Sequence, residues 1–352
     1  MTVLTGGRTI WAFVWEDSNE YAQEPGEPSD TNFKAFGNRE DVNEPDRDNN
    51  YEALFRPFNR QPDTYLELEF TGSWGTDFVY TNPWWLAFIF GEPEVEDNED
   101  GTWDLEFSVR TDEVPRSAHL IRETHYPDGT TTQTVFMGAV VDGPSLNTSV
   151  QDTMDVSLDG FYADERHYDD VADSPVGEIG DQPETEFRPL NFANAELYLD
   201  LDDDGSPEFT GNVQDLDLTF NSNAEADHEL GTRFSTERTF LGFEPDLSYT
   251  SRITTQSKAE EQKSFYGSQV DDTLDHEMPA EELTDAAIMG RVQLLSRKEE
   301  NELTVNFEEA FPSTYSPTNL GDPESAMDNS VDRLLTNLTA TATVDKDPAE
   351  YF

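Results

Sequence analysis

The chain has 352 residues, of which 76 are Asp or Glu and 21 are Lys or Arg, for a formal net charge of -55, and it has no cysteine. That composition excludes a disulfide framework, a thiolate metal site and a cysteine nucleophile. With the lysines confined to Lys34, Lys258, Lys263, Lys298 and Lys346, it also excludes the clustered cations that tight nucleic-acid binding needs. Aromatic residues make up 12%, far more than a disordered chain carries, so the chain should fold. The acids are spread along the sequence rather than gathered into a tail, and so much like charge opposes compaction in dilute buffer. At molar salt the Debye length falls to roughly 3 Å and most of that repulsion is screened. The expectation is a salt-loving host, a haloarchaeon.

In chain order, Ile10 to Trp15 reads as a short apolar strand. Residues 19–63 are polar and broken by Pro25, Pro28, Pro45, Pro57 and Pro62, which predicts a long loop; within it Phe55-Arg-Pro-Phe-Asn-Arg60 sets two aromatics beside two arginines. Thr64 to Phe70 alternates apolar and acidic residues as a half-buried strand does. Asn82 to Gly91 predicts a short helix, or a turn plus a strand; Glu92 to Gly101 predicts an acidic loop, and Trp103 to Arg110 another strand. Ser117 to His125 and Gln133 to Val141 flank the turn Tyr126-Pro-Asp-Gly129, a hairpin signature. Strands over 145–149 and 154–163 follow, and the acidic, Pro- and Gly-containing residues 164–187 predict a linker between two domains, 1–170 and 171–352.

In the second domain, Ala195 to Asp200 and Phe209 to Asp215 predict strands around Asp203-Asp-Gly205, followed by strands over 216–223, 237–243, 246–254, 286–297, 302–307 and 334–344. Ser257 to Phe265 predicts a helix, 271–282 an acidic loop, and Glu309 to Asn329 a turn-rich stretch. The whole reads as all-β. One pattern returns: Phe136-x-Gly138-x-Val140-x-Asp142 and Phe209-x-Gly211-x-Val213-x-Asp215, each after an Asp-Gly turn, which predicts two related sheets. A glycine in such a strand marks a bulge, a bend or a close approach by another group.

The order of strand, Asp-Gly turn, Phe-x-Gly-x-Val, then Met154 to Gly160, then a second copy followed by Leu216-Asp-Leu-Thr-Phe-Asn-Ser-Asn223, resembles the tail tube proteins of siphovirus-type tailed viruses, as does the opening Ile10-Trp-Ala-Phe-Val-Trp-Glu-Asp-Ser18. The likeness covers most of residues 8–255 and fades after about 265. It implies a tube-like β-sandwich or barrel, here duplicated, that contributes strands to a closed central barrel shared among subunits. It further implies a structural virion protein of the viral tail, assembled in the host cytoplasm from rings that stack into a tube for DNA ejection. Its partners would be copies of itself, three or six to a ring, and other tail proteins such as the tape measure and the terminator. The duplex would pass through the lumen without specific binding, and the early loop would reach toward the next ring.

Chemical constellations are sparse. Asp200-Leu-Asp202-Asp203-Asp204-Gly205 matches the first half of an EF-hand loop, but its twelfth position is Gly211 where a bidentate Glu is required, so it predicts an acidic hairpin tip. Of the histidines 119, 125, 167, 228 and 276, the pair His119 and His125 lies on one strand about 20 Å apart by strand rise, too far to share a metal. No nucleophile elbow or phosphate loop occurs. The expectation is therefore no enzyme, no catalytic residue, no metal and no cofactor. Sequons at Asn147 and Asn337 are expected to be unused, and the longest apolar patch, 84–90, is far short of the roughly 20 residues of a membrane helix. No secretory signal is read in the first residues, which predicts a soluble chain. The other function compatible with an all-β fold is a carbohydrate-binding module or glycosidase of a halophile, with Trp74, Trp84 or Trp85 as a stacking platform.

Overall fold

A computed structural model describes residues 8–17, 21–24, 33–54, 64–109, 114–181, 183, 195–200, 205–211, 213–230, 232–252, 288–295, 302–318, 328–345, 347–350 and 352. The first half comprises β1 (Arg8–Trp15), β2 (Asn38–Leu54), β3 (Thr64–Val79), a 3-10 turn (Trp84–Leu86) running into α1 (Ala87–Phe90), β4 (Glu94–Asp97), β5 (Trp103–Ser108), β6 (Ala118–His125), β7 (Thr131–Val141), β8 (Ser145–Ser149), β9 (Asp155–Tyr162) and β10 (Asp164–Tyr168). The second comprises β11 (Ala195–Leu199), β12 (Glu208–Phe209), β13 (Val213–Asn221), β14 (Ala224–Asp227), β15 (Glu237–Phe240), β16 (Glu244–Arg252), β17 (Ile288–Leu295), β18 (Glu302–Thr318), β19 (Asp328–Thr336) and β20 (Thr339–Val344). The fold is all-β, as expected, and every ladder is antiparallel.

Several expectations need correcting. The stretch taken as a loop over 19–63 contains β2, 17 residues long and paired with β3 from Asn38↔Val79 to Leu54↔Thr64. Three register shifts interrupt that ladder, at Asn38/Asp41, Asn43/Asp46 and Asn49/Tyr51. The first two put the extra residue on β2 and the third puts it on β3; each extra residue on β2 flips its side-chain alternation, which is why the sequence shows no single period there. The first part of the presumed linker, residues 164–168, is strand β10 on β7, and Ser174 and Val176 beyond it are buried. The loop 92–101 contains β4, and β18 runs through the stretch read as turns as far as Thr318. The closing strand is two, β19 and β20, parted at Asn337 with φ 48. Phe55–Arg60, the helix expected over 257–265 and the acidic loop over 271–282 lie outside the described residues.

The Phe-x-Gly-x-Val-x-Asp copies do not occupy matching places. The first lies inside β7, where 133–141 are all buried; the second runs from β12 into β13, with Phe209 59% exposed. The expectation for the first glycine does hold: Gly138 has φ 66, and a Cβ there would meet Tyr21, Ala22 and Ala163 at 2.9–3.1 Å.

A different repetition is present in the ladders. β1–β6, β6–β7 and β7–β10 in the first half match β11–β17, β17–β18 and β18–β20 in the second. Likewise β2–β3, β3–β9 and β9–β8 match β13–β16, β16–β19 and β19–β18. The long β18 does in one strand what β7 and β8 do in two. Its register shift at Pro312/Thr314 falls where the first chain segment breaks between those strands.

Two ladders join the halves, β8 with β13 and β5 with β20, so hydrogen-bonded sheet crosses residue 170. The core joins them too. The Trp84–Phe90 segment is buried at every residue. Pro83 opens it with a fixed φ and Gly91, at φ 85, closes it. Phe88 contacts Phe13 and Trp15 at 5.4 and 4.6 Å between ring centroids, whereas Phe90 meets Phe220 and Phe243 at 6.1 and 5.5 Å. Phe352 adds a contact to Trp84 at 5.6 Å. Each such aromatic contributes on the order of 1.5–3 kcal/mol by leaving water, so the halves share one core.

Candidate functional site

The ladders give the strand order β2, β3, β9, β8, β13, β16, β19, β18. One face of this run is core: Phe78, Val156, Leu158, Leu146, Leu216, Leu218, Leu247, Tyr249 and Val331 are each at most 4% exposed. With period two, the alternate residues must share the other face. They are Asp77 on β3, Asp155, Ser157 and Asp159 on β9, Asn147 on β8, Asp215 and Asp217 on β13, Asp246 and Ser248 on β16, and Asp332 on β19, all partly or fully exposed. No element of the chain is described as covering them, and the same alternation on β16 ends in the exposed Arg252.

What keeps adjacent carboxylates compatible is the hydroxyl set between them. Across the ladder, Ser157 faces Asp77 and Ser248 faces Asp332, donating at 2.5 and 2.7 Å; Thr219 donates to Asp217 at 3.3 Å and Thr153 to Asp155 at 2.8 Å. Even so, partial burial raises the pKa of Asp217, and burial together with neighbouring acids raises those of Asp159, beside Asp77, and Asp246, beside Asp217 and Asp332. The face is predominantly acidic, with the exposed Arg252 at the end of β16 as a cation on the same alternation.

The tryptophans lie on the other side. Trp74, Trp84 and Trp85 are 4%, 2% and 1% exposed, so none offers a stacking platform for sugar. Trp74 instead donates from its indole nitrogen to the carbonyls of Val140 and Phe161, both at 3.2 Å, where β7 hands over to β8 on β9. At that same crossing a Cβ on Gly160 would lie 1.8 Å from the carbonyl oxygen of Val140, so only glycine fits.

A second feature is the β14–β15 excursion, which folds back from the second half onto the first. Phe70 N donates to the Arg233 carbonyl at 2.8 Å, Phe234 packs on Phe70 at 5.5 Å, and Tyr21 meets Ser235 at 2.9 Å. Arg238 donates to Ser117 Oγ at 2.6 Å and lies 5.3 Å over the Tyr21 ring. Beneath this sits Glu16, which is fully buried, bonded by Ser117 Oγ and Gly138 N and 3.0 Å from His119 Nε2. Burial alone would raise its pKa, but the hydrogen bonds and charge of His119, with Ser117 and Gly138, hold it below the usual glutamate value. Burial pushes Tyr21 up to about 12.

His125 pairs instead with Glu123 at 2.8 Å, so the two histidines of β6 serve separate carboxylates. Glu123, His125 and Glu178 place ligand atoms within 4.8 Å of one another, a grouping the sequence did not suggest because Glu178 lies on a distant segment. The Glu123 carboxylate already accepts from Ile179 N at 2.8 Å, Gly180 N at 3.2 Å and Gln133 Nε2 at 3.2 Å, and thereby pins residues 176–180 to the sheet. In the Asp-rich turn, Asp200 is buried and accepts from Gly205 N at 2.8 Å, while 201–204 are outside the described residues. Of the sequon residues, Asn147 lies in the β8–β13 ladder, and Asn337 donates to Glu308 at 2.8 Å.

A family model described as "Phage tail tube protein" matches residues 12–265 of the chain. No curated protein matches it.

Proposed function

Because the chain belongs to the phage tail tube protein family, we propose that it is the major tube subunit of a siphovirus-type tail, in which its uncovered acidic face lines the passage for DNA. A structural role in the virion tail follows from the family; the lumen, the rings and their number are our reading. The observation that carries it is the one-sided sheet, core below and mostly carboxylates above, with Arg252 at one end of β16. A phosphate backbone meets mainly like charge on such a wall, with no cluster of Lys or Arg to displace its counterions, so the duplex is not gripped and slides.

The repeated strand order supports reading residues 1–170 and 171–352 as two tube-like β domains. Three chains would then supply six such domains to a pseudo-sixfold ring; with one domain per chain, six chains would be needed. Closure removes every exposed strand edge, which is the reason to expect rings rather than open sheets. The charge supports a halophilic host, and for the same reason assembly should require salt.

The test is electron microscopy of the purified protein in molar salt with light scattering on the same sample. Rings or tubes with a central hole are expected, at a mass of three chains per ring. A monomer that persists when a tail initiator is supplied would overturn the tube reading.

A further inference from the structure

Within the described residues two strand edges of the run remain open: β2 pairs only with β3, and the Phe311–Thr318 part of β18 pairs only with β19. Both carry the residue that sheets admit at edges, Pro45 on β2 and Pro312 and Pro317 on β18. Resting on the tube reading above, we propose that these two edges are the two sides of one junction, and that β18 of one chain pairs antiparallel with β2 of a second copy. The chain contains the pattern for it. In the repetition of ladders, β8 corresponds to this part of β18 and β2 corresponds to β13, and β8 already pairs with β13. The between-chain junction is the within-chain junction made again.

The register follows from the same correspondence. Asn147 on β8 faces Asp155 on β9. Matching the buried Val156 and Leu158 to Val331 and Arg333 puts Ser330 in the place of Asp155, and Ser330 faces Ser316 on β18. Asp217 on β13 faces Ser248 on β16. Matching the buried Thr76 and Phe78 to Leu247 and Tyr249 puts Asp77 in the place of Ser248, and Asp77 faces Asp41 on β2. Since Asn147 faces Asp217 across the internal junction, Ser316 faces Asp41 of the next copy. The hydrogen bonds Val150 N to Gln214 O and Phe220 N to Pro144 O fix the phase of the internal ladder. In that phase Asn147 and Asp217 form a non-hydrogen-bonded pair, with Cα atoms about 4.5 Å apart, within disulfide reach. Ser316 and Asp41 inherit that backbone geometry.

Because the chain has no cysteine, cross-linking starts from zero background. The double variant Ser316→Cys, Asp41→Cys is assembled in molar salt, oxidised, and run on a non-reducing gel beside the control Asn147→Cys, Asp217→Cys. Expected are dimer and higher bands that collapse to monomer on reduction for the first, and an internally bridged monomer for the second. Rings seen by microscopy with no cross-chain band, while the control bridges, overturn the junction and leave the tube reading standing. A wild-type chain that makes no rings removes the tube reading, and the junction with it.

Discussion

The hairpin β2–β3 and its counterpart β13–β16 share a topology and differ in what their ends do. β2–β3 runs as one long ladder from Val79 to Thr64, bulged at three places, and among the described residues its outer edge is open. β13–β16 has its outer edge closed by β8, and between its strands the chain leaves to form β14–β15, which lies down on Phe70, Tyr21 and Ser117 of the first half. The second hairpin is thus welded to both halves, whereas among the described residues β2 has a partner on one side only. On the proposed reading of two tube-like domains per chain, such a difference is what a subunit would need if half of its junctions were internal.

The largest effect on this arrangement should come from the shared core. Phe88→Ala removes a fully buried ring that touches Phe13, Trp15, Phe36 and Trp74, and should cost about 3–5 kcal/mol, read as a drop in unfolding midpoint in molar salt. If the first half alone melted earlier, the halves would be less tightly coupled than their common core implies. A smaller and more local loss is expected from Arg238→Ala. It deletes the charged donor to Ser117, worth about 1.5–3 kcal/mol, and should release β14–β15 to hydrogen exchange or protease while β13 and β16 stay protected. Exchange that spread evenly over the second half would refute the weld.

The same contact zone should respond to pH on both sides. Tyr21 titrates near 12 when folded and near 10 when unfolded, so the folded state holds its proton more tightly; its contribution is complete below about 10 and fades as pH rises toward 12. Tyr21→Phe should remove that part of the alkaline loss. Glu16 has the opposite sense: its lowered pKa stabilises the fold above the ordinary glutamate range, and the contribution disappears as pH falls through the folded value. Glu16→Gln should flatten the acid limb of the stability curve.

How much of this was legible in the sequence depends on whether a strand obeys one period throughout. Met154 to Ala163, 145–149 and 286–297 do, and β9, β8 and β17 were readable to within a few residues. β2 does not, because its bulges reset the alternation and its residues are polar, so a strand of 17 residues passes for a loop. The Phe-x-Gly-x-Val-x-Asp motif points to residues in unlike places, while the likeness of the two halves lies in backbone pairing and is nearly silent in side chains. The acidic face was hidden by abundance, since 76 acids give no contrast. Yet Asp155-Val-Ser-Leu-Asp159, Asp215-Leu-Asp-Leu-Thr219 and Asp246-Leu-Ser-Tyr-Thr250 each alternate an apolar residue with Asp, Ser or Thr and no cation, and that shared pattern was a signal that could have been found. Glu16 was not legible, because its partners come from β6, β7 and residue 22.

The smallest effect should come from that face, and its sign is the informative part. Asp217 has a raised pKa, chiefly from partial burial, so its charged form is disfavoured in the folded protein, and stability on its account declines as pH rises through the carboxylate range. Asp217→Asn keeps the shape, removes the charge and should stabilise the fold slightly. The gain should be under about 1 kcal/mol because the site is partly solvated, and it should shrink as salt is raised from millimolar to molar. A thermal midpoint series against salt measures it. A residue kept for stability would lose stability when neutralised; a carboxylate that costs stability where it stands is retained for something else. On the proposed reading, in which this face lines a passage for a polyanion, the charge that costs stability would be the charge that keeps the duplex from binding to it.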